Sequence, residues 1–586
     1  QSYGDDVVLT RSTTLDASAL TFADTLMGDN LAAHDLTIVA RSGHATFNAA
    51  VGDALAPIGQ FQVTAANDTV FNDLVTVAHL QTGSTGTTQF NTPKVLTTSN
   101  ASMVFGNDVV VSPASFRFDS TNDGLLPAGA NITFNKTLSS ATVGVSDVSI
   151  QAGSAGVVRL LGAVGQDGSG TASALKSLVV SAGGGIVIGG GRVETTGSQT
   201  YDHNTVLANS AHTTVLNTTN SAVTFTGTVN NQTVGTPEAL TVNAGSGAVL
   251  FSETIGNADA LGAIAINSTG ATTFTKAVDA ASVTTNTGGT VVIKGGRITT
   301  SGAQSYGENL ILDNAAHATV LNTTNAAVTF TGTVNNQTVG TAESLTINAG
   351  SGAVLFSETL GNADAMGAIA INSTGATTFT KAVDAASLST NAGGTVVIMG
   401  GRITTSGTQT YGENLILDNS AHTTVLITTN AAVTFIGTVN NQTVGTPEAL
   451  TVNAGSGAVL FSETIGNADA LGAIALWASL ANGTYEYVAK VDVGTDGIQL
   501  RSGTTILATA SFSTTTIRSV VPSTTTCAPL ERTRVFLAPR TWTSPCRALP
   551  SSSRVEASQI ASQAPRSDQS KPAGATAASL VRSITA

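Results

Sequence analysis

A 105-residue period constrains this chain more than any other feature. The segment around Gly191-Arg192 recurs at Gly296-Arg297 and Gly401-Arg402, and Asn230-Asn231-Gln232-Thr233 recurs at Asn335-Asn336 and Asn440-Asn441. Inside the unit, short runs rich in β-branched and aromatic residues begin at Ala222 (AVTFTG), Ala248 (AVLFSE), Ala271 (ATTFTK), Thr290 (TVVIKG) and Glu308 (ENLILD), and the first returns at Ala327. Spacings of 26, 23, 19, 18 and 19 divide the unit into five shorter ones, about 21 residues each. Each run alternates: in Val223-Thr224-Phe225-Thr226 the apolar side chains point one way and the hydroxyls the other. Gly and Asn at the ends, as in Asn243-Ala244-Gly245-Ser246-Gly247, suit turns that need left-handed backbone. One strand-turn unit cannot bury its apolar face, whereas stacked units share a continuous core, so the pattern predicts an all-β solenoid. The variable coil length predicts a three-sided parallel β-helix rather than the constant hexapeptide kind.

The first 190 residues are less regular, yet Phe22, Phe47, Phe71, Phe90, Phe105 and Phe134 fall 25, 24, 19, 15 and 29 apart, close to the later coil lengths. They read as inward rings on successive turns of the same solenoid. At about 21 residues per coil and about 4.8 Å between strands, roughly 24 coils would make a rod on the order of 115 Å long. The expected organisation is diverged coils over 1–190, three near-identical copies over 191–476 of about five coils each with the last truncated, an irregular β segment or cap over 477–520, and a tail over 521–586. The third copy ends where Leu476-Trp477-Ala478 replaces the expected Ile-Asn-Ser-Thr-Gly. Gln1-Ser2-Tyr3-Gly4-Asp5 matches Gln304-Ser305-Tyr306-Gly307-Glu308, so the chain reads as a fragment that begins inside a repeat. The tail holds one Gly (Gly574), seven Pro, both cysteines (Cys527, Cys546) and eight basic against three acidic residues, which suits a disordered segment or a gene read in a shifted frame.

Charged residues make up 10% of the chain and the net charge is −13, which argues against nucleic acid and anionic membranes as partners. No apolar run approaches the length of a membrane-spanning helix, and the opening residues carry no export signal, so membrane insertion by this segment is not expected. Phosphate loops, HExxH, paired CxxC, GxSxG and EF-hand patterns are not found. β-Helices do host polysaccharide lyases and hydrolases, which need clustered carboxylates. The best candidates are Glu253, Asp259 and Asp279, with copies at Glu358, Asp364 and Asp384, then Glu463 and Asp469. A catalytic constellation is needed once, whereas these recur wherever the repeat places a turn, so they read as solvated turn residues. His212, His317 and His422 stand five coils apart, roughly 24 Å by strand spacing, too far to share a metal. Arg192, Arg297 and Arg402 are equally separated and read as turn caps. Outward Thr224, Thr226, Thr273 and Thr275 suggest an ice-binding face, but Val292 and Lys294, then Ile311 and Asp313, break the array. Asn at coil ends is expected to form internal stacked amide ladders. No catalytic, cofactor-binding or metal-ligating residue is therefore assigned, and no cofactor is expected.

Segments such as Gln304-Ser305-Tyr306-Gly307-Glu308-Asn309-Leu310, Ala327-Val328-Thr329-Phe330-Thr331-Gly332-Thr333-Val334 and Ser344-Leu345-Thr346-Ile347-Asn348-Ala349-Gly350 resemble the repetitive regions of large secreted bacterial proteins of the filamentous haemagglutinin type, over roughly residues 1–475. The resemblance implies a right-handed parallel β-helix, exported across a Gram-negative-type envelope and displayed at the cell surface or released as an adhesin. The amino-terminal secretion domain and any carboxy-terminal anchor or barrel of that family have no counterpart in this sequence. The expected role is a non-enzymatic extracellular stalk or adhesin segment whose partners are host or neighbouring-cell surface glycans or proteins. The other reading is a carbohydrate-active β-helix enzyme, which an outward groove with facing carboxylates would favour.

Overall fold

A computed structural model describes residues 1–29, 32–53, 55–65, 67–209, 213–314, 318–337, 340–419, 423–442, 446–468 and 470–478, and the strand segments 485–486, 488–491, 498–502, 505–510 and 515–517. The disordered or frame-shifted tail expected over 521–586 lies outside the described residues. Every described element is a strand or a turn, and the strands stack in parallel as a β-solenoid of about 20 turns. The expected 24 coils were an overcount because a turn takes more residues than the sequence spacing suggested, as the pairing below shows.

Three strands make one turn, one for each wall. Gln304–Tyr306, Asn309–Leu312 and Thr319–Thr323 follow one another in the chain, yet each pairs only with strands about one turn away: Val283–Thr285 below the first, Thr290–Ile293 below the second, Arg297–Thr300 below the third. The alternation works as read from sequence. Val223, Phe225, Val249 and Phe251 are at most 1% exposed, while the intervening Thr224 and Leu250 face outward. Each buried Phe contributes about 2–3 kcal/mol from removal of its surface from water. Rings in register add roughly 1 kcal/mol per pair. Phe225, Phe251 and Phe274 form such a column above Tyr201, at 4.8, 5.1 and 5.5 Å and nearly parallel.

The repeat does not close on a whole number of turns. From Tyr201 the inward partners on one wall run Phe225, Phe251, Phe274, Ile293 and Leu312, five turns in all. Tyr306, 105 residues after Tyr201, sits on the strand just before the one that carries Leu312, on the neighbouring wall. The unit therefore spans five turns less a third. The next copy behaves identically: Tyr306 leads through Phe330, Phe356, Phe379 and Ile398 to Leu417, and Tyr411 lies one strand short of it. The sequence step from Glu308 to Ala327, taken above as a full coil, is two-thirds of one. Successive copies are thus turned by one wall, and the ring columns of copies one, two and three occupy three different walls.

The same slip explains the diverged region. Tyr3, Phe22, Phe47, Phe71 and Phe90 form one column with centroid spacings of 4.9 to 5.2 Å. Phe105 and Phe134 belong to another wall, and Phe105 meets Phe90 edge-on at 5.9 Å and 90°. The short gap of 15 residues was a change of wall, not a short coil.

Turns follow the expected chemistry. Asn220, Asn325 and Asn430 take φ between 53 and 56°, and each side-chain oxygen accepts the backbone N–H of the next coil's turn at Ser246, Ser351 and Ser456. At the carboxy-terminal end, parallel stacking continues through Ile474–Ala478 to Ile498–Ser502, and Thr505–Ala510 then pairs antiparallel with that strand.

Candidate functional site

The carboxylates singled out by sequence are dispersed. Glu253, Glu358 and Glu463 are exposed on the turn that follows each copy's Val-Leu-Phe strand. Because the copies rotate, those three turns lie at three different corners. Asp259 accepts the backbone N–H of Gly235 at 2.8 Å, and Asp364 that of Gly340 at 2.7 Å, so both tie down a loop. Asp279 is gripped by both terminal nitrogens of Arg297 at 2.5 and 2.8 Å, and Asp384 by Arg402 at 2.8 Å. The arginines therefore do not cap turns: Arg297 and Arg402 open strands and bridge to the coil below, while Arg192 pairs with Glu194 on its own strand. Asp469 and the three histidines His212, His317 and His422 lie outside the described residues. Among the described residues, no group of three His, Cys, Asp or Glu side chains is placed to hold a metal ion.

Thr224 and Thr273 are two turns apart, with Leu250 in register between them, so aliphatic residues interrupt the outward Thr row. The amide ladders exist, but on outward rather than internal positions. Asn267 donates to Asn243 and Asn243 to Asn217, each at 2.7 Å, and Asn372, Asn348 and Asn322 repeat this. Copy three breaks the ladder, because Ile427 and Trp477 flank Asn453 in register.

Two sets of polar residues escaped the sequence reading. The first is a buried corner lock. Gln304 Nε2 donates to the carbonyls of Ile298 (3.2 Å) and Asn322 (2.9 Å) and to Thr300 Oγ1 (3.2 Å), while its Oε1 accepts the Tyr306 hydroxyl at 2.9 Å. Gln199 with Tyr201 and Gln409 with Tyr411 build the same lock. The second set is acidic. Glu308 and Glu413 are each 2% exposed, and neither carboxyl oxygen of either residue has a hydrogen-bond partner. Burial alone pushes both carboxyls from 4.5 up to about 7. Glu238, Glu343 and Glu448 are also buried and also shifted upward by desolvation, opposed by a backbone N–H from Asn209, Asn314 and Asn419. An ionisable residue just before an apolar run ordinarily reads as a solvated turn. The only sequence signal of something else was the pair Gly288-Gly289, and again Gly393-Gly394, about one coil upstream of each buried glutamate.

No protein-family model, no curated protein and no solved structure matches this chain.

Proposed function

We propose that the chain is a non-catalytic stalk or adhesin segment of a large secreted bacterial surface protein of the filamentous haemagglutinin type, exposed outside the cell and engaging surface glycans or proteins of a host or neighbouring cell. The observation that carries this reading is the rotation of the copies. Equivalent side chains such as Glu253, Glu358 and Glu463 are distributed over three corners at steps of five turns less a third, which spreads repeated surface groups around the stack. Catalysis requires groups that converge on one bond, whereas display benefits from the same surface facing several directions. The uniform core supports the mechanical half of the role, since each turn rests only on its neighbours.

The test is paired. Beads coated with the chain are expected to adhere to cells or to immobilised surface glycans, and incubation with a panel of acidic and neutral polysaccharides is expected to yield no new chain ends. Cleavage that disappears in Glu358→Gln would replace this reading with that of a carbohydrate-active enzyme.

A further inference from the structure

We propose that Glu308 and Glu413 are proton-operated joints of the solenoid: with the carboxyl neutral the corner packs shut, and with the carboxyl ionised the corner loosens. Each sits on the short turn between a Tyr-bearing strand (Gln304–Tyr306, Gln409–Tyr411) and the next wall (Asn309–Leu312, Asn414–Leu417). The turn one coil below approaches so closely that a Cβ on Gly289 would lie 3.1 Å from the Glu308 carboxyl carbon. Gly394 stands in the same relation to Glu413. The turn one coil above stacks on the backbone of the same glutamate through Gly332 and Gly437. The carboxyl therefore packs on the glycine turn below while the turn above closes over the backbone of the same residue, and neither oxygen has a donor.

Nothing nearby offsets a negative charge. The turn below Glu308 contributes Asn286, Thr287, Gly288 and Gly289, and the turn above contributes Thr331, Gly332 and Thr333, none of them titratable. For Glu413 the corresponding turns are Asn391, Ala392, Gly393 and Gly394 below and Ile436, Gly437 and Thr438 above. On the flanking strands the titratable side chain is the tyrosine, whose hydroxyl is bound to Gln304 or Gln409. The neighbouring cations are engaged elsewhere: Lys294 pairs with Asp313 at 2.8 Å, and Arg297 and Arg402 hold Asp279 and Asp384. An ionised carboxylate in such a place bears its desolvation cost uncompensated, while the neutral acid does not. Copy one lacks the device, because the equivalent residue is His203, which is exposed.

Since the closed corner holds its proton to about pH 7 and an opened corner releases it near the ordinary 4.5, opening becomes easier as pH rises between those values and levels off above them. Hydrogen exchange resolved by mass spectrometry, corrected for intrinsic rates, reads this directly. In the wild-type chain, peptides spanning 305–312 and 410–417 are expected to lose about tenfold protection per pH unit inside that window, while the peptide around His203 stays flat. Glu308→Gln should flatten the first peptide alone, Glu413→Gln the second alone. Infrared spectra of the wild type at pH 6 should show a protonated carboxyl band, a readout that stands even if a variant folds poorly. Unchanged slopes in both variants, or no such band, would overturn the proposal. So would protection restored at pH 8 by added calcium, which would mark the carboxylates as cation ligands instead.

Discussion

The diverged coils of 1–190 and the repeated coils that follow solve one packing problem with different polar hardware. In the diverged coils, charged pairs join neighbouring turns, Arg41 with Asp16, Lys94 with Asp123 and Lys176 with Asp147, while Arg117 pairs within its own coil with Asp119 and Asp123. Their rings change wall and meet edge-on, as Phe118 and Phe134 do at 4.9 Å and 83°. In the repeats the rings stay parallel and buried Gln–Tyr locks recur beside fewer ion pairs, whereas outward amide ladders serve both regions, as Asn48, Asn72 and Asn91 do in the first. The difference teaches that the core asks only for apolar volume at inward positions, whereas corner chemistry must be copied intact to work. A surface ion pair tolerates replacement because it contributes little; a buried Gln with four partners does not.

The strongest way to break the comparison is through what both regions share. Phe47→Asp and Phe330→Asp each bury an unpaired charge in a ring column, and each should cost about 4 kcal/mol or more in denaturant unfolding. A large loss for one and a small loss for the other would mean that the two regions do not share a core.

Next comes the lock. Gln304→Leu strands the Tyr306 hydroxyl and two carbonyls in the interior and should cost about 2–3 kcal/mol. Adding Tyr306→Phe should recover part of that loss, and a double-mutant cycle showing purely additive effects would dissolve the lock as a unit.

The ladder gives a smaller effect with an internal control. Asn348→Ala, in the middle of three amides, should cost about 1 kcal/mol, whereas Asn453→Ala, flanked by Ile427 and Trp477, should be near neutral. Equal costs would assign the ladder no role.

Salt gives the smallest effect. Raising ionic strength should weaken the Lys94–Asp123 and Lys176–Asp147 contacts by less than about 1 kcal/mol each, lowering hydrogen-exchange protection around those pairs and leaving the neutral Gln304–Tyr306 strand unchanged. A uniform response along the chain would contradict the division of polar roles.

Much of this architecture was legible from residue order. Alternation in Val223-Thr224-Phe225-Thr226 named the inward and outward faces, and the turn Asn243-Ala244-Gly245-Ser246-Gly247 announced the left-handed backbone found at Gly245. Wall assignment was not legible. Ile293 to Leu312 is 19 residues and one full turn, while Leu312 to Phe330 is 18 residues and two-thirds of a turn. All three walls want the same bulky apolar side chain at the inward position, so spacing alone cannot tell them apart. Asp279 was read as a solvated turn residue for a related reason: its partner Arg297 lies on the adjoining coil. Glu308 was passed over because its own neighbours look solvated.

By itself, the sequence determined that the chain forms a parallel β-solenoid, because period-two alternation and regularly spaced turns are local properties that each unit carries whatever surrounds it. Tertiary structure alone decided that the copies rotate from wall to wall and that two glutamates are shut away while their counterpart His203 is exposed. Those outcomes depend on which turn lies directly above and below a residue. In a solenoid that neighbour is set by the lengths of all the intervening strands and loops, a sum that no single repeat contains.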